Sequence, residues 1–186
     1  TGLELLYQFN IKKLNGWVGY SLSQIIKEID LNQDGDVEES EIYKSNYNKP
    51  HSLNFVLNYK LSERKKLDLG LAGVVTSGAP YTPVIAKVFT QNAAQLVSEE
   101  YPYLYLTTIN GDKNSAQYPV YFRSDISLTK GGKLFKKPAK WKFQVINLTN
   151  NFNVLFYNWN HYSSPSKVSA VSMFPRIYTF GVSFEL

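Results

Sequence analysis

An acidic segment at residues 30–41 has the spacing of a calcium-binding loop. It reads DLNQDGDVEESE and matches the pattern D-x-[DN]-x-[DN]-G-x5-E along its whole length. Calcium takes about six to eight oxygen ligands, which such a loop supplies from its first, third, fifth, seventh and twelfth positions, with a glycine at the sixth for the turn. The spacing therefore predicts a calcium site formed by Asp30, Asn32, Asp34, Asp36 (through its carbonyl) and Glu41.

This loop differs from the usual paired helix–loop–helix sites because it occurs once. Its flanks, residues 23–29 and 42–46, permit only short helices. We expect weak binding of Ca²⁺, with a Kd of ~10⁻⁴–10⁻³ M as in extracellular modules, and an ordering effect on residues 24–50. An ordinary acidic surface loop is the alternative interpretation.

The other chemistry-bearing residues do not form a catalytic constellation. His51 opens a predicted strand, which favours a boundary or hydrogen-bonding role over general-base chemistry. Arg123 and Asp125 fall on one face of a strand, where we expect a structural ion pair inside a polar interior. The chain has no cysteine, no glycine-rich phosphate loop and no nucleophile elbow. We therefore predict that it is not an enzyme.

Aromatic residues in the long connections are the candidates for contact with a bound ligand. Aromatic rings offer rigid, amphipathic contact area, and the histidine among these candidates lies within an aromatic and polar run. The predicted ligand-binding residues are Tyr81, Tyr103, Tyr105, Trp159, His161 and Tyr162.

The dominant pattern along the chain is the alternation of apolar and polar residues, which is typical of strands with one apolar face. It is clearest in the last ten residues, where Tyr178, Phe180, Val182, Phe184 and Leu186 alternate with smaller or polar residues. About seven segments show it, at 3–9, 18–22, 51–61, 67–75, 120–129, 141–145 and 176–186. Predicted strands of ~9–11 residues are long enough to cross a bilayer at a tilt, and they exceed the ~5–6 residues usual in soluble sheets.

Short and long connections alternate between the predicted strands. The short ones are at 12–15, 62–66 and 131–140, and the long ones cover 24–50, 79–118 and 149–175. This asymmetry favours an antiparallel outer-membrane barrel over a soluble sandwich, which also alternates. Lysines concentrate in the short connections, near Trp17, Phe135 and Trp141, which suits a lipid headgroup boundary better than nucleic acid.

Composition excludes several classes of protein. The 186 residues are 44% hydrophobic and 15% aromatic but only 19% charged, which excludes a disordered chain. Every apolar run is interrupted before the ~20 residues that a membrane helix needs. The first ten residues lack the regions of a signal peptide. The chain therefore either stays in the cytoplasm or is the tail of a longer, exported protein.

Six short motifs, in order, resemble those near the end of TonB-dependent outer-membrane receptors. They are GWVGYSLS at 16–23, HSLN at 51–54, SGAPYTP at 77–83, YFRSD at 121–125, VINLTN at 145–150 and the closing segment 176–186. Their order and spacing extend over nearly the whole chain. The last segment also resembles the carboxy-terminal signal read by the outer-membrane insertion machinery, in which Thr179, Gly181, Phe184 and Leu186 fit.

The resemblance implies that residues 1–186 are the C-terminal portion of a transmembrane β-barrel, about seven strands of the family's ~22. It implies a cut-off beginning, a true end at residue 186, a periplasmic C-terminus and extracellular long loops, with 30–41 inserted in one of them. Such receptors take up a scarce nutrient (an iron chelate, cobalamin, a glycan or a peptide) through the bacterial outer membrane. TonB energises them through an amino-terminal plug that this sequence lacks.

Two other interpretations stay open from the sequence. One is a small, complete barrel of eight strands, with 103–109 as the extra strand, acting as an adhesin or structural protein. The other is a secreted, calcium-binding β-sandwich. Neither requires TonB, and the sandwich would bury its apolar faces between two sheets.

Overall fold

The described part of the chain is built entirely from antiparallel β-strands. The computed structural model describes residues 1–30, 40–90, 105–160, 163 and 167–184. Its strands are β1 (Gly2–Ile11), β2 (Leu14–Ser23), β3 (Ile26–Asp30), β4 (Ser40–Lys44), β5 (His51–Ser62), β6 (Leu67–Thr76), β7 (Pro80–Tyr81), β8 (Val84–Thr90), β9 (Tyr105–Asn110), β10 (Ala116–Gln117), β11 (Tyr121–Leu134), β12 (Lys137–Ile146), β13 (Val154–Asn160), β14 (Lys167–Ser172) and β15 (Ile177–Phe184). Among these residues, none forms a helix long and apolar enough to cross a membrane.

Seven long strands form one sheet in the order β1-β2-β5-β6-β11-β12-β15, each antiparallel to its neighbours. The seven predicted strands are these seven, so the prediction of an all-β, antiparallel architecture is confirmed. The sheet is open in the described chain, because β1 and β15 each have a partner on one side only. Backbone groups along those two outer edges therefore lack ladder partners.

Tight turns join the strands at one end of the sheet, which we call the turn end. Lys12, Lys66, Phe135 and Lys136 adopt positive φ angles of 51°, 48°, 50° and 68° there. The turn between β11 and β12 contains two residues, because Leu134 pairs with Lys137. The expectation of a ten-residue connection at 131–140 was wrong: consecutive positive φ angles at Phe135 and Lys136 close a two-residue hairpin and let both strands extend.

The three long connections at the opposite end, the connection end, contain strands of their own. They form four two-stranded ribbons, β3-β4, β7-β10, β8-β9 and β13-β14. The flanks of the acidic loop are strands β3 and β4 rather than the short helices expected. The small-barrel interpretation expected an eighth strand at 103–109. The described strand there, β9, pairs with β8 outside the seven-stranded sheet.

The register divides the sheet into two faces of different character. Paired residues share a face and successive residues alternate, so one face, the apolar face, carries Leu3, Leu5, Tyr7, Val18, Tyr20, Leu53, Phe55, Leu57, Leu69, Leu71, Phe122, Ile126, Leu128, Phe143, Val145, Tyr178 and Phe180. The other, the polar face, carries Glu4, Gln8, Asn15, Ser21, Asn54, Asn58, Asp68, Arg123, Asp125, Ser127, Gln144 and Thr179, together with the apolar Leu6, Trp17, Val56 and Val74. Trp141 is on the apolar face, whereas Trp17 pairs with Gln8 and Val56 on the polar face, away from the expected aromatic boundary.

The apolar face is uncovered in the part of the chain that the structure describes. Extensive contacts occur only between strands that pair, so no second layer packs on the sheet. Leu5, Phe143, Tyr178 and Phe180 keep 58%, 47%, 62% and 68% of their surface exposed, and the buried apolar side chains are Ala139 and Val145. A soluble sandwich would bury such side chains between two sheets.

Candidate functional site

The three long connections contact one another and form a continuous surface at the connection end. The amide of Asn114 bridges the second connection to the first: its Nδ2 donates to Lys44 O and to Asn46 Oδ1, each at 2.6 Å. Lys113 Nζ lies 4.0 Å from the centre of the Tyr43 ring. Asn114 is buried, so its two contacts hold the connections together.

A cluster of three tyrosines joins the second and third connections. The Tyr81 ring stacks on Tyr118 at 4.5 Å between centroids and meets Tyr157 edge-on at 5.4 Å, while Tyr118 and Tyr157 are 5.2 Å apart. Burial, with a smaller contribution from the neighbouring Tyr157 and Tyr118, raises the pKa of the Tyr81 phenol. Aromatic pairs at these separations contribute about 0.5–1.5 kcal/mol beyond their buried area.

A cavity of about 610 Å³ opens between the first hairpin and the connections. Its wall includes Leu3 and Leu22 of the sheet, Asn48 of the first connection, and Pro80 and Gln117 beside the tyrosine cluster. That volume is within the ~300–1,000 Å³ usual for small-molecule sites, and an apolar wall with a few amides is their usual lining. The cavity and the cluster form the candidate binding site.

The ribbon β7-β10 between the cavity and the cluster is fixed by a close backbone approach. A Cβ on Gly78 would lie 1.8 Å from Tyr118 O, so no other residue fits there without movement. Gln117 Nε2 donates to Gly78 O at 2.9 Å, and Tyr118 N donates to Ala79 O at 3.0 Å. The SGAPYTP segment thus has a structural explanation: its glycine lets the second strand of the ribbon approach.

The predicted ligand residues are only partly brought together. Tyr81 lies in the cluster, and Trp159 is two residues beyond Tyr157 in β13, on the same face of that ribbon. Tyr105 begins β9 opposite Thr90, and its side chain is outside the described set. Tyr103, His161 and Tyr162 lie outside the described residues. Sequence reasoning missed Tyr118 and Tyr157, although the strand-like alternation around Tyr157 was a usable signal.

The predicted calcium positions are mostly outside the described residues. Asn32, Asp34 and Asp36 lie there, whereas the backbone of Asp30 pairs with Ser40 and that of Glu41 with Ile29 at the end of the β3-β4 ribbon. Among the described residues, no group of three or more acidic or histidine side chains has the arrangement of a metal site. Calcium binding by residues 30–41 stays a prediction.

On the polar face, Arg123 and Asp125 form the expected ion pair. Arg123 Nε donates to both carboxylate oxygens of Asp125, at 2.9 and 3.1 Å, and Asn147 N donates to Asp125 Oδ1 at 2.9 Å. Trp17 and Asn54 line the same depression, a cavity of about 320 Å³. Through the bond from Asn147, which directly follows β12, the pair links the start of β11 to the end of β12. This role is structural.

An asparagine-rich corner follows β12 and completes this network. Asn147, with φ 55°, donates from Nδ2 to Asn151 O at 3.0 Å. Asn153 accepts from Phe122 N at 2.9 Å and donates to Phe122 O at 2.8 Å. Asn147 and Asn153 are buried. Their side chains supply hydrogen-bond partners to backbone groups, which explains the asparagines of the VINLTN segment and of the residues after it.

Pairs of polar and aromatic groups border the apolar face at both ends. At the connection end, Tyr20 Oη and His51 Nδ1 are 2.8 Å apart, the hydrogen-bonding role expected for that histidine. At the turn end, Lys130 pairs across the strands with Trp141. Between these borders β6 runs for 10 residues, or ~33 Å at ~3.3 Å per residue.

No protein-family model, no curated protein and no solved structure matches this chain.

Proposed function

We propose that this chain forms part of the wall of an outer-membrane receptor of the TonB-dependent kind. One observation carries the proposal: a broad apolar sheet face is uncovered and is bordered at both ends by polar and aromatic residues. Soluble monomers rarely expose contiguous apolar patches larger than a few hundred Å². Such a face is stable when the hydrocarbon of a membrane covers it.

The dimensions of the sheet support this location. Strands of ~33 Å tilted by ~45° span a height of roughly 23 Å, close to the ~25 Å apolar band of outer-membrane barrels. The proposed lumen is the polar face, where Arg123 and Asp125 are compensated by each other. Charged residues are tolerated there, whereas on a lipid-facing surface they are not.

The open edges support a larger barrel. Unpaired backbone groups in hydrocarbon carry a penalty of several kcal/mol each, so a spanning sheet must close. β1 and β15 therefore require further strands, as in the ~22-stranded barrels of these receptors. In this proposal the remaining strands and the plug that contacts TonB belong to other parts of the protein.

The proposed direction of transport follows from the two ends. The turn end faces the periplasm, and the connection end faces outward and binds a nutrient, such as an iron chelate, cobalamin, a glycan or a peptide. The proposed contacts are the Tyr81 cluster and the part of the 610 Å³ cavity wall that the connections form, at Asn48, Pro80 and Gln117. Calcium bound at residues 30–41 would order the first connection. No reaction is catalysed in this proposal.

Cysteine labelling tests the proposal directly, because this chain has no cysteine of its own. Tyr47→Cys at the connection end and Phe135→Cys at the turn end replace highly exposed residues. In intact cells expressing the full-length protein, a membrane-impermeant maleimide should label Tyr47→Cys but not Phe135→Cys. Permeabilising the outer membrane should expose the second site.

Recovery of the full-length protein in the soluble fraction without detergent would refute the membrane location. Equal labelling of both cysteines in intact cells would refute the orientation. A control, Tyr178→Cys on the apolar face, should resist the reagent before and after permeabilisation, because hydrocarbon excludes a charged maleimide. Labelling of Tyr178→Cys in the folded, membrane-bound protein would contradict the lipid-facing assignment.

A further inference from the structure

An uncharged row of side chains crosses the polar face of the sheet. The register aligns one residue from each of the seven strands in a single rung, which we call the amide rung: Asn10, Asn15, Asn58, Gly70, Ser127, Gln144 and Thr179. All of them except the glycine have an amide or hydroxyl side chain. The rungs on either side carry charge, Asp125 on one and Lys60, Asp68 and Lys142 on the other. The amide rung is thus a neutral band of hydrogen-bonding groups between charged ones.

The amide rung connects the two ends of the sheet. Thr179 is the third residue of β15 from the connection end, whereas Asn10 is the next-to-last residue of β1 before the turn end. Neighbouring strands are ~4.8 Å apart, so the distance across the seven strands is roughly 29 Å. In a barrel whose strands tilt by ~45°, a rung is inclined by the same angle and descends roughly 20 Å along the wall. In the proposed orientation, this descent runs from the outer side towards the periplasm.

Most side chains of the amide rung are available to a ligand. Asn58 Nδ2 donates to Asn15 Oδ1 at 3.3 Å. The side chains of Asn10, Ser127 and Gln144 make no hydrogen bond to any described residue, and no member of the rung is buried. Amides and hydroxyls can both donate and accept hydrogen bonds, so they match a ligand that itself carries hydroxyl groups.

An indole ring lies beside the amide rung on the same face. Trp17 is two residues beyond Asn15, and its ring extends towards Gly19, where a Cβ would lie 3.6 Å from Trp17 Cζ3. The ring is half-buried. It lines a depression of about 550 Å³ together with the nearest amides, Gln8, Asn10, Asn15 and Asn58. Such a combination suits a sugar, because the C–H face of the sugar packs on the aromatic ring while its hydroxyls bond to the amides.

We infer that the amide rung is a translocation track for a neutral, linear glycan, with one sugar ring stacked on Trp17. The rung offers about one hydrogen-bonding side chain per ~4.8 Å, which is close to the length of one pyranose unit. Its single gap, at Gly70, is filled by the Ser127 hydroxyl, whose oxygen lies 2.6 Å from where a Cβ would be. This inference rests on the proposed outer-membrane location and adds to it a site in the lumen and a class of nutrient.

Charge and spacing separate a neutral glycan from the other nutrient classes. Near the rung, Arg123 bonds to Asp125, and Lys60 pairs across the strands with Asp68. A charged iron chelate lying along the rung would lose hydration without meeting an opposite charge on the rung itself. An extended peptide repeats every ~3.3 Å, which does not match the ~4.8 Å between strands.

A cysteine on the amide rung tests the inference locally. Ser127→Cys is introduced into the full-length protein in permeabilised outer-membrane vesicles, and its reaction with a small neutral thiol reagent is followed by mass spectrometry of the peptide that contains it. Saturating maltohexaose, a neutral chain of glucose units, should slow this reaction about threefold or more, because the bound glycan excludes the reagent. Ser52→Cys, on the polar face outside the rung, should react equally fast with and without maltohexaose.

Two triple variants of the Ser127→Cys protein give the comparison. The first replaces three rung amides by Ala: Asn15, Asn58 and Gln144. It should raise the maltohexaose concentration that gives half protection about tenfold or more, because each lost hydrogen bond lowers the affinity. The second replaces three polar residues of other rungs by Ala: Ser21, Ser52 and Asn54. It should leave that concentration unchanged, and an unaltered labelling rate without glycan shows that each variant is folded.

Substitution of Trp17 separates stacking from hydrogen bonding. In the Ser127→Cys protein, Trp17→Ala should raise the concentration for half protection about five- to tenfold. Trp17→Phe keeps an aromatic ring and should recover most of this loss. Equal protection in the Ala and Phe variants and in the unaltered sequence would show that no sugar stacks on the indole.

Several results would overturn the inference. They include labelling of Ser127→Cys that maltohexaose does not slow, and protection that survives the first triple variant. Stronger protection by ferric citrate or by hexaglycine would assign the rung to a charged chelate or to a peptide. An unreactive Ser127→Cys beside a reactive Ser52→Cys would mean that another part of the protein covers the rung. All these results leave the membrane location intact, because the labelling of Tyr47→Cys and Phe135→Cys tests it independently.

Discussion

The sheet and its connection end differ in what they bury. In the sheet, large apolar side chains such as Leu5 and Phe180 are exposed. In the connections, the buried side chains are polar, with Ser45, Asn48, Asn114, Asn147 and Asn153 among them. A soluble domain has the opposite arrangement, with apolar residues inside and polar residues outside.

The difference shows that the two regions derive their stability from different sources. The connection end is held internally, by amide hydrogen bonds and the Tyr81 cluster, and needs no particular solvent. Among the described residues, the sheet has ladder hydrogen bonds but only two buried apolar side chains, Ala139 and Val145. In the proposed location, its further stabilisation comes from hydrocarbon on the apolar face. The two regions should therefore respond differently to matched substitutions.

The largest effect is expected for a charge placed on the apolar face. Phe143 is flanked by Leu128 and Phe180, while the next residue, Gln144, lies on the polar face between Ser127 and Thr179. In vesicles, Phe143→Arg should destabilise the full-length protein by about 2–4 kcal/mol, and Gln144→Arg by less than ~1 kcal/mol. Urea unfolding measures both. If water covers that face instead, Phe143→Arg should change the free energy of unfolding by less than ~0.5 kcal/mol.

The next effect is expected in the asparagine corner. Asn153→Ala removes both side-chain bonds to Phe122 and leaves the Phe122 N–H unpaired. A buried unpaired donor carries a penalty of about 1–3 kcal/mol. Asn158→Ala, an exposed site in the same connection, is the matched control and should change stability by less than ~0.5 kcal/mol. Equal unfolding free energies for the two variants would show that the corner does not stabilise the sheet.

The sequence predicted the sheet well because alternation with period two survives wherever one face is apolar. The strand at Ile177–Phe184 and the strand at His51–Ser62 were both evident from their spacing. The ribbons in the connections were not predicted as pairs of strands. β7 and β10 have only two residues each, and the alternation around Tyr157 in β13 was not interpreted as a strand. The hairpin at Phe135 and Lys136 was missed because these residues lack the usual Asn-Gly signal for positive φ.

The candidate site was less predictable than the sheet. Tyr81 was identified as a surface aromatic, but its partners Tyr118 and Tyr157 lie 37 and 76 residues away in sequence. No local pattern specifies which distant ring stacks on it. The Arg123–Asp125 pair was predictable, because i and i+2 on a strand necessarily share a face.

A smaller effect is expected for the tyrosine cluster. Tyr81→Ala removes the stacked and edge-on contacts and should destabilise the connection end by about 1–2 kcal/mol. Hydrogen exchange at the amide of Tyr118, which bonds Ala79 O, reports this locally. Tyr47→Ala removes an exposed tyrosine from the same end and should leave that amide's exchange unchanged. If both substitutions accelerate exchange equally, the ring contacts are not the cause.

The smallest effect is a pH dependence at Tyr81. Burial raises the pKa of its phenol, so the folded state holds this proton at a pH where the unfolded state has released it. The contribution of Tyr81 to stability should therefore be constant below about pH 10, the ordinary tyrosine value, and should decline as the pH rises beyond it. Tyr81→Phe keeps the ring but cannot ionise. Above about pH 10, exchange at the Tyr118 amide should therefore accelerate less in this variant than in the unaltered protein. Identical alkaline profiles for the two proteins would mean that the phenol ionises as easily in the folded cluster as in water, and would place the ring in a more open environment than its contacts with Tyr118 and Tyr157 indicate.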